Sequence, residues 1–245
     1  FDQANWYAFG RLAWNYRLSA RDISGEWARM TWGNDASVVG PIVGMMMQSR
    51  EAVVNYMTPL GLHHLMATGH HYGPGPWVND LPRADWNPTY FHRADAAGIG
   101  FDRTQTGSNA VAQYAPKVAA CLGSRRCVPD ELLLWFHRVG WDERMRSGRT
   151  LWNEMLARYE LGVNQVHGMR ATWRSLKGQI DSERFAEVDA FLGIQEREAK
   201  WWRDASIAYF QSESGKLLPD GVQAPEHSLA HYKSLRFTNV PGSRE

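Results

Sequence analysis

The sequence predicts an all-α protein, an irregular helical domain with a long helical hairpin and an extended loop region rich in Gly, Pro and His. Two observations support this fold class. Apolar residues recur at three- and four-residue spacing in both the first and the last third of the chain, which is the period of an amphipathic helix. Strands do not alternate with helices anywhere along the 245 residues, which excludes a complete (β/α)₈ barrel or a Rossmann unit.

Helices account for residues 1–57. The first is expected over residues 3–14. Ser19 stands three residues before Asp22, in the pattern of a capping box, so a second helix begins there and stops at Gly33. A third helix runs from residue 35 or 37 to residue 56 or 57. Its N-terminal half is apolar on all sides, which indicates burial between other elements.

Residues 58–129 read as a long loop region, dense in Gly, Pro, Asn and Asp, with short helical turns near residues 63–66 and 110–114. A long irregular connection in a compact protein is usually functional or disordered. Disorder fits poorly, because the stretch carries core-building aromatic residues such as Trp77, Phe91 and Phe101. We therefore expect an ordered functional loop region.

Residues 130–212 return to helical patterning, with a short helix at 131–136 and two long amphipathic helices at 150–180 and from 181 or 182 to about 211. A tight turn at Asp181 and Ser182 would pack them as an antiparallel hairpin. Residues 213–245 form a mostly irregular tail that we expect to lie across the surface. The whole chain is interpreted as a single domain.

Composition excludes two classes of partner. The net charge is +1 and the basic residues are scattered, whereas a nucleic-acid binder concentrates them on one face. The longest apolar run, residues 38–47, is interrupted by Gly40, Pro41 and Gly44, and a membrane-spanning helix needs about 20 apolar residues. Because the chain begins with Phe1 inside a predicted helix, we expect it to be part of a longer protein.

Cys121 and Cys127 are the two cysteines of the chain, six residues apart in a polar loop that contains glycine. They could close a small disulfide, worth about 2 kcal/mol on a loop-entropy estimate. They could equally be two free thiols of a cytoplasmic protein. The compartment, whether cytoplasmic, periplasmic or secreted, therefore stays open.

The densest group of chemistry-bearing residues lies in residues 55–77. It comprises His63, His64, His70, His71, Tyr72 and Trp77. The histidines could bind zinc, but neighbouring His pairs point in different directions and the HExxH spacing is absent. They could instead hydrogen-bond loop carbonyls. In a third interpretation they bind a ligand, with the Gly-Pro-Gly-Pro run holding Trp77 on a rigid arm as an apolar face for a sugar ring.

A second group lies in residues 90–104 and comprises His92, Arg93, Asp95, Asp102 and Arg103. Paired carboxylates perform acid–base chemistry on glycosidic bonds, so this group could form a hydrolytic site. Arg and Asp interleaved in a Gly-rich loop more often pair with each other to fix its shape. The charged residues after residue 141, namely Asp142, Glu143, Arg144 and Arg146, are expected to be solvated or paired.

Four long stretches together resemble the C-terminal part of the family 67 α-glucuronidases, and the resemblance covers nearly the whole chain. They are ANWYAFGRLAWN (4–15), EAVVNYMTPLGLHHLMATGHHYGPGPW (51–77), YFHRADAAGIGFDRTQTGSNAVAQY (90–114) and LLLWFHRVGWDERMRSGRTLW (132–152). Their length and order make this resemblance far more specific than any single short motif.

The resemblance implies an enzyme of three parts: an N-terminal β/α domain, a central (β/α)₈ barrel and this helical C-terminal region. Such an enzyme removes α-1,2-linked glucuronic or 4-O-methylglucuronic acid from xylooligosaccharides with inversion. Its catalytic carboxylates lie on the barrel, so no catalytic residue, metal or cofactor is assigned to this chain. The isolated chain is expected to be inactive.

The resemblance also implies two roles for the chain, which are homodimerisation and a loop over the barrel mouth. By its place in the motif, Trp77 would contact the bound sugar, with Tyr72, His71 and His70 as weaker candidates. The implied partners are the glucuronic acid-bearing xylooligosaccharide, the protein's own other domains and a second copy. The alternatives are a purely structural dimerisation module and an independent His-rich, metal-dependent hydrolase.

Overall fold

The computed structural model describes residues 1–67 and 72–236, and the chain is mainly helical. The α-helices are α1 (Asp2–Trp14), α2 (Ala20–Trp32), α3 (Ala36–Met57), α4 (Pro88–His92), α5 (Pro116–Leu122), α6 (Leu133–Phe136), α7 (Leu151–Ser175), α8 (Ser182–Ser214) and α9 (Leu229–Ser234). Single 3-10 turns cover Pro59–Gly61, Ala84–Trp86, Ala110–Gln113 and Asp130–Leu132. Two short strands, β1 (Gly98–Ile99) and β2 (Val139–Gly140), pair antiparallel. The all-α fold class is confirmed.

Backbone contacts group the chain into two compact units. The first unit contains residues 1–53 and 163–197, and the second contains residues 54–162 and 198–245. Each unit is described by itself. The interpretation of the chain as a single domain stays a prediction.

The helices of the first third begin and end where the sequence predicts. Ser19 Oγ accepts a hydrogen bond from the Asp22 backbone N–H at 3.1 Å, which satisfies a donor that the helix would otherwise leave unpaired at the start of α2. The same helix ends at Gly33, whose φ of +106° few other residues adopt. Local chemistry thus sets both ends of α2.

The loop region is more regular than the sequence pattern suggested. Pro88 and Pro116 stand at the first positions of α4 and α5, where the missing N–H costs nothing. The turn near residues 110–114 is present, but the helical turn expected at residues 63–66 is wrong. His64 has a left-handed φ of +57°, and residues 65–67 are extended because Leu65 and Ala67 form backbone hydrogen bonds with Gly75 and Gly73.

The long hairpin is present, with a wider turn than expected. The first helix ends at Ser175 rather than near residue 180, and Gly178 within the connection has a φ of +84°. Antiparallel packing of α7 and α8 is visible in the first unit, where Trp173 Nε1 donates to the Phe185 carbonyl at 3.0 Å. Arg170 also reaches from α7 to Asp189 on α8.

The core of the first unit is an aromatic cluster around Trp173, which is fully buried. Its indole ring stacks on Phe185 with 5.8 Å between centroids and meets Trp32 edge-on at 5.3 Å. Phe1 joins the same cluster at 6.0 Å. Such rings remove large apolar areas from water and add geometry-dependent attraction.

The second unit packs around Trp141 and Phe210, both almost completely buried. Trp141 meets Trp152 edge-on at 5.9 Å and donates its indole N–H to the Asp95 carbonyl at 2.7 Å. Arg203 and Asp204 are buried beside each other, and Arg203 Nε donates to Asp204 Oδ1 at 2.7 Å. The pairing offsets the cost of removing two charges from water.

Of the two possibilities for the cysteines, the structure contains the disulfide between Cys121 and Cys127, with 4.9 Å between their Cα atoms. The neighbouring loop is held by further contacts. His137 Nε2 lies 2.8 Å from the Leu122 carbonyl oxygen, and Arg146 donates to the Val128 carbonyl at 2.7 Å. Within the described residues, no helix combines the length and apolar character needed to cross a bilayer.

We predict that Trp173→Ala lowers the free energy of unfolding by about 3–5 kcal/mol, because it removes a fully buried indole and leaves a cavity among aromatic neighbours. Denaturant unfolding followed by circular dichroism measures the change. Phe191→Ala is the control, since that ring is 64% exposed in the same unit and its loss should change stability by less than about 0.5 kcal/mol. Equal effects of the two substitutions would contradict this account of the core.

Candidate functional site

The candidate site begins with a short antiparallel pairing in the second unit. Met66 and Pro74 form an isolated bridge. On either side of it, Ala67 N–H donates to the Gly73 carbonyl at 2.9 Å and Gly75 N–H donates to the Leu65 carbonyl at 2.7 Å. This pairing brings the two ends of the Gly- and His-rich segment together. Two predicted site residues, His70 and His71, lie outside the described residues.

The two other predicted site residues, Tyr72 and Trp77, line one cavity of about 240 Å³. The rest of its wall comes from Ala67, Pro74, Trp201, Tyr232, Lys233, Leu235 and Arg236. Half-buried aromatic rings beside basic groups suit a ligand that has both an apolar face and a negative charge.

Tyr72 and Trp201 form one side of this cavity. Their rings lie 5.7 Å apart, and the Tyr72 hydroxyl donates to Glu198 Oε1 on α8 at 2.8 Å. Gly73 permits this arrangement because its φ is +72° and a Cβ there would stand 2.1 Å from the Trp201 ring. A glycine is therefore required for both the backbone angle and the close approach of the indole.

Trp77 is positioned through its preceding peptide. The Pro76 carbonyl lies 2.8 Å from His92 Nε2, and His92 Nδ1 accepts the Ala94 backbone N–H at 3.0 Å. Because Nδ1 accepts, Nε2 carries the proton and donates to Pro76. Burial lowers the pKa of His92 to about 4, although the hydrogen bond to Pro76 acts in the opposite direction. His92 is thus a neutral structural residue rather than a catalytic base.

The basic groups of the cavity come from the C-terminal part of the described chain. Ser228 caps α9 by accepting the His231 backbone N–H at 3.3 Å. The segment before α9 is attached to α8 by an ion pair of 2.6 Å between Lys200 and Glu226. Lys233 and Arg236 follow on α9 and just beyond it, and they line the cavity.

The other histidines of the Gly- and His-rich segment lie elsewhere. His64 Nε2 lies 3.1 Å from the Trp86 carbonyl oxygen, as expected for a histidine that ties down a loop. His63 packs edge-on against Phe91 and Trp135, with centroids 5.5 and 5.1 Å away. In the part of the chain that the structure describes, no three His, Cys, Asp or Glu side chains gather as metal ligands.

The two carboxylates in residues 90–104 accept hydrogen bonds from groups within their own loops. Asp95 Oδ1 accepts the Ala97 backbone N–H at 2.8 Å and pairs with Arg138, so the expected pairing with Arg93 or Arg103 is wrong. Burial raises the pKa of Asp95, but hydrogen bonds from Ala97 and Gly98 and the charge of Arg138 outweigh it and leave the pKa below the usual range.

Asp102 behaves in the same way. Its carboxylate accepts the Thr104 N–H and the hydroxyls of Thr104 and Thr106. Burial raises its pKa, and these hydrogen bonds lower it further than burial raises it. Among the later charged residues, Asp142 pairs with Lys216 and Glu143 pairs with Arg125. A general acid requires a raised pKa, which neither Asp95 nor Asp102 has.

Among the aromatic and basic residues that line the cavity, sequence reasoning missed Trp201, Tyr232, Lys233 and Arg236. Trp201 carried a usable signal: it adjoins Trp202, which belongs to the buried stripe of α8, so its own indole has to point elsewhere. The other three lie in a tail that the pattern assigned to irregular surface, where α9 is only six residues long.

Comparison with known proteins assigns this chain to a family. The family described as "Glycosyl hydrolase family 67 C-terminus" matches residues 1–223, most of the chain. This chain belongs to that family. Trp77, Tyr72 and Trp201 lie within the residues that the family matches, whereas Lys233 and Arg236 lie beyond them.

Curated relatives agree with the family assignment. The chain is 37% identical over 214 residues to "Probable alpha-glucuronidase A" of Aspergillus clavatus, covering 86% of this chain and 25% of that protein. It is 36% identical over 219 residues to both "Alpha-glucuronidase" of Hypocrea jecorina and "Alpha-glucuronidase A" of Aspergillus tubingensis, covering 89% of this chain. The chain therefore spans about a quarter of the length of these relatives.

We predict that Gly73→Ala destabilises the second unit and displaces Trp201. Gly148→Ala is the matched control, because Gly148 has a similar φ of +83° but nothing within 4 Å of a Cβ. Both variants carry backbone strain of about 1 kcal/mol, and only Gly73→Ala adds a clash worth about 1–3 kcal/mol. Equal unfolding free energies for the two variants would exclude the proposed contact with Trp201.

We predict that acid weakens the fold through His92. Its folded-state pKa of about 4 lies below the ordinary value of about 6.5, so the unfolded chain takes up the proton first as the pH falls. Neutral His92 therefore makes its full contribution to the free energy of unfolding above about pH 6.5. This contribution is lost as the pH falls towards 4, and it amounts to roughly 3 kcal/mol at most. Unfolding curves of His92→Gln should depend less steeply on pH in this window. The control, His231→Gln at an exposed position, should keep the pH dependence of the unfolding free energy that the parent chain shows. The same pH dependence in His92→Gln would refute the assignment to His92.

Proposed function

We propose that this chain is the C-terminal region of an α-glucuronidase, an enzyme that removes α-1,2-linked glucuronic or 4-O-methylglucuronic acid from xylooligosaccharides and thereby debranches xylan. Family membership and the names of the relatives support the activity. The single observation that carries the site assignment is the cavity where Trp77 and Tyr72 meet basic side chains.

In this proposal the chain does not supply the catalytic carboxylates. Asp95 and Asp102 accept several hydrogen bonds within their own loops, and both have lowered pKa values. An inverting glycosidase needs a raised-pKa acid and a base, with carboxyl groups about 6.5–9.5 Å apart to admit a water molecule. We assign both groups to the protein's barrel domain, so the chain alone should release no glucuronic acid.

The cavity suits the acidic sugar of this substrate. Trp77 offers an indole face to the apolar side of a sugar ring, and the fixed Pro76 carbonyl limits its movement. Lys233 and Arg236 place positive charge on the same wall, where a uronate carboxylate would be attracted. We infer that the loop bearing Tyr72 and Trp77 extends over the mouth of the active site, with His70 and His71 beside them in sequence.

The first unit supports a second role, in homodimerisation. Along α1, Trp6, Phe9 and Trp14 are 79%, 71% and 88% exposed. An apolar groove of about 590 Å³ in the same unit is lined by residues that include Phe1, Leu12 and Met46. Large exposed apolar surfaces mark sites of association. Besides a second copy, the protein's own remaining domains are partners in this proposal.

We predict that Trp77→Ala, in the protein with its barrel domain, lowers kcat/KM on aldotriuronic acid about tenfold, because an aromatic sugar contact worth about 1.4 kcal/mol is lost. Trp86→Ala is the matched control: this indole is 44% exposed in the same loop region but does not line the cavity, and its removal should leave kcat/KM unchanged.

Unchanged kcat and KM in Trp77→Ala would instead favour the purely structural dimerisation module. Turnover by the chain alone, abolished by a chelator, would favour the metal-dependent hydrolase. The mass in solution, recorded on the same samples, tests the dimer.

A further inference from the structure

A second cavity of the second unit, of about 370 Å³, is lined by the N-terminal half of α7 and by the turn in which Val222 N–H donates to the Pro219 carbonyl. We name it the α7 cavity. Its wall shares no residue with the cavity of Trp77. Small-molecule sites commonly measure about 300–1,000 Å³, so its volume is sufficient for a ligand. The polar side chains of its wall are Arg149, Asn153, Glu160 and Gln223.

Helical periodicity places the α7 residues of this cavity on one face. Leu156, Ala157 and Glu160 follow Asn153 by three, four and seven residues. Leu156 is buried and provides an apolar base. The short side chain of Ala157 leaves space above the helix. The face therefore carries an amide and a carboxylate at its two ends with an apolar surface between them.

Buried charged groups behind the wall hold two of its polar side chains in place. Glu160 accepts a hydrogen bond at 2.8 Å from Arg203, which is 1% exposed. Arg149 donates at 3.1 Å to Glu154, which is 4% exposed. Each charge on the wall thus faces a partner of opposite sign, and the two wall charges themselves have opposite signs. The cavity offers directed hydrogen-bonding groups without a net attraction for an anion or a cation.

The two amide groups of the wall supply further donors and acceptors. Gln223 Oε1 accepts from Arg203 at 3.2 Å, so its NH₂ group points away from that guanidinium. Asn153 is half-buried, and in the described part of the chain its side-chain amide has no hydrogen-bond partner. A half-buried amide without a partner has lost part of its hydration. A ligand that hydrogen-bonds to it would offset that loss.

We propose that the α7 cavity binds a neutral saccharide. Amide, carboxylate and guanidinium groups are planar and each present two hydrogen-bonding atoms, which suits neighbouring hydroxyls on a sugar ring. The side chains of Leu156 and Ala157 would lie under the C–H groups of the ring. Compensated charge favours a neutral ring over a uronate. The choice of ligand rests on the proposed function: it is the xylosyl backbone of the substrate, held here while hydrolysis takes place elsewhere in the protein.

The test is a calorimetric titration of the chain with xylotriose and, for comparison, with the open-chain polyol xylitol. We expect saturable binding of xylotriose that depends little on salt, because no net charge is neutralised. Xylitol carries similar hydroxyls but loses internal rotations on binding, so it should bind about tenfold more weakly. Absence of saturable xylotriose binding, or equal affinity for xylitol, would overturn the proposal.

Variants locate the binding. Asn153→Leu removes the amide while keeping the size of the side chain, and it should weaken xylotriose binding about tenfold. Gln113→Leu removes an exposed amide that lines neither cavity and should have no effect. Ala157→Phe fills the space above the helix and should abolish binding, while circular dichroism checks that each variant is folded. Unchanged xylotriose affinity in either cavity variant would exclude the α7 cavity.

Glucuronic acid separates this inference from the proposed function, which assigns the uronate to the cavity of Trp77. Trp77→Ala should weaken the binding of glucuronic acid and leave that of xylotriose unchanged, and Asn153→Leu should do the reverse. Loss of xylotriose binding in Trp77→Ala, with binding retained in Asn153→Leu, would exclude the α7 cavity alone. Unchanged glucuronic acid binding in Trp77→Ala, with xylotriose binding lost in Asn153→Leu, would support the α7 cavity and contradict the uronate site at Trp77.

Discussion

The hydrogen bond from His92 to the Pro76 carbonyl is the constraint on which the candidate site depends. It joins the irregular segment that carries Trp77 to His92, the last residue of the short helix α4. The histidine can donate because its other ring nitrogen accepts the Ala94 N–H, and it stays neutral because it is buried. An irregular segment held by such specific polar contacts can present an aromatic side chain in one position, which a flexible loop could not do.

Two buried arginines of the second unit, Arg203 and Arg103, are stabilised by different kinds of neighbour. The buried Arg203 lies against Asp204 and also reaches Glu160, so its charge is compensated within the fold. Arg103 is almost as buried but rests on rings and a carbonyl, with no acid beside it in the described residues. The first arrangement connects α8 to α7 and neutralises the guanidinium with carboxylates of the chain itself. The second stabilises the guanidinium through cation–π contacts with Phe101 and Trp135 and a hydrogen bond to the Trp135 carbonyl.

Two acidic residues of the loop region, Asp95 and Asp102, shape their own loops rather than serve as general acids. Asp95 and Asp102 resemble candidate catalysts in the sequence, yet each closes a turn by accepting backbone and hydroxyl hydrogens. Those bonds stabilise the carboxylate form, which is the reverse of what a general acid needs. The loops that they shape hold the aromatic residues in place. Their contribution to the proposed activity is therefore structural.

The sequence by itself determined the helical class, the ends of α2 and the extent of α3, because caps, glycines and apolar periodicity act over a few residues. It also marked Tyr72 and Trp77, and the cavity contains both. Only the tertiary structure decided that Lys233 and Arg236 join them, that Asp95 pairs with Arg138, and that residues 65–67 are extended rather than helical. The first two depend on contacts between residues far apart in the chain, and the third depends on backbone pairing across the Gly- and His-rich loop. Local helix propensity has no information about any of these contacts.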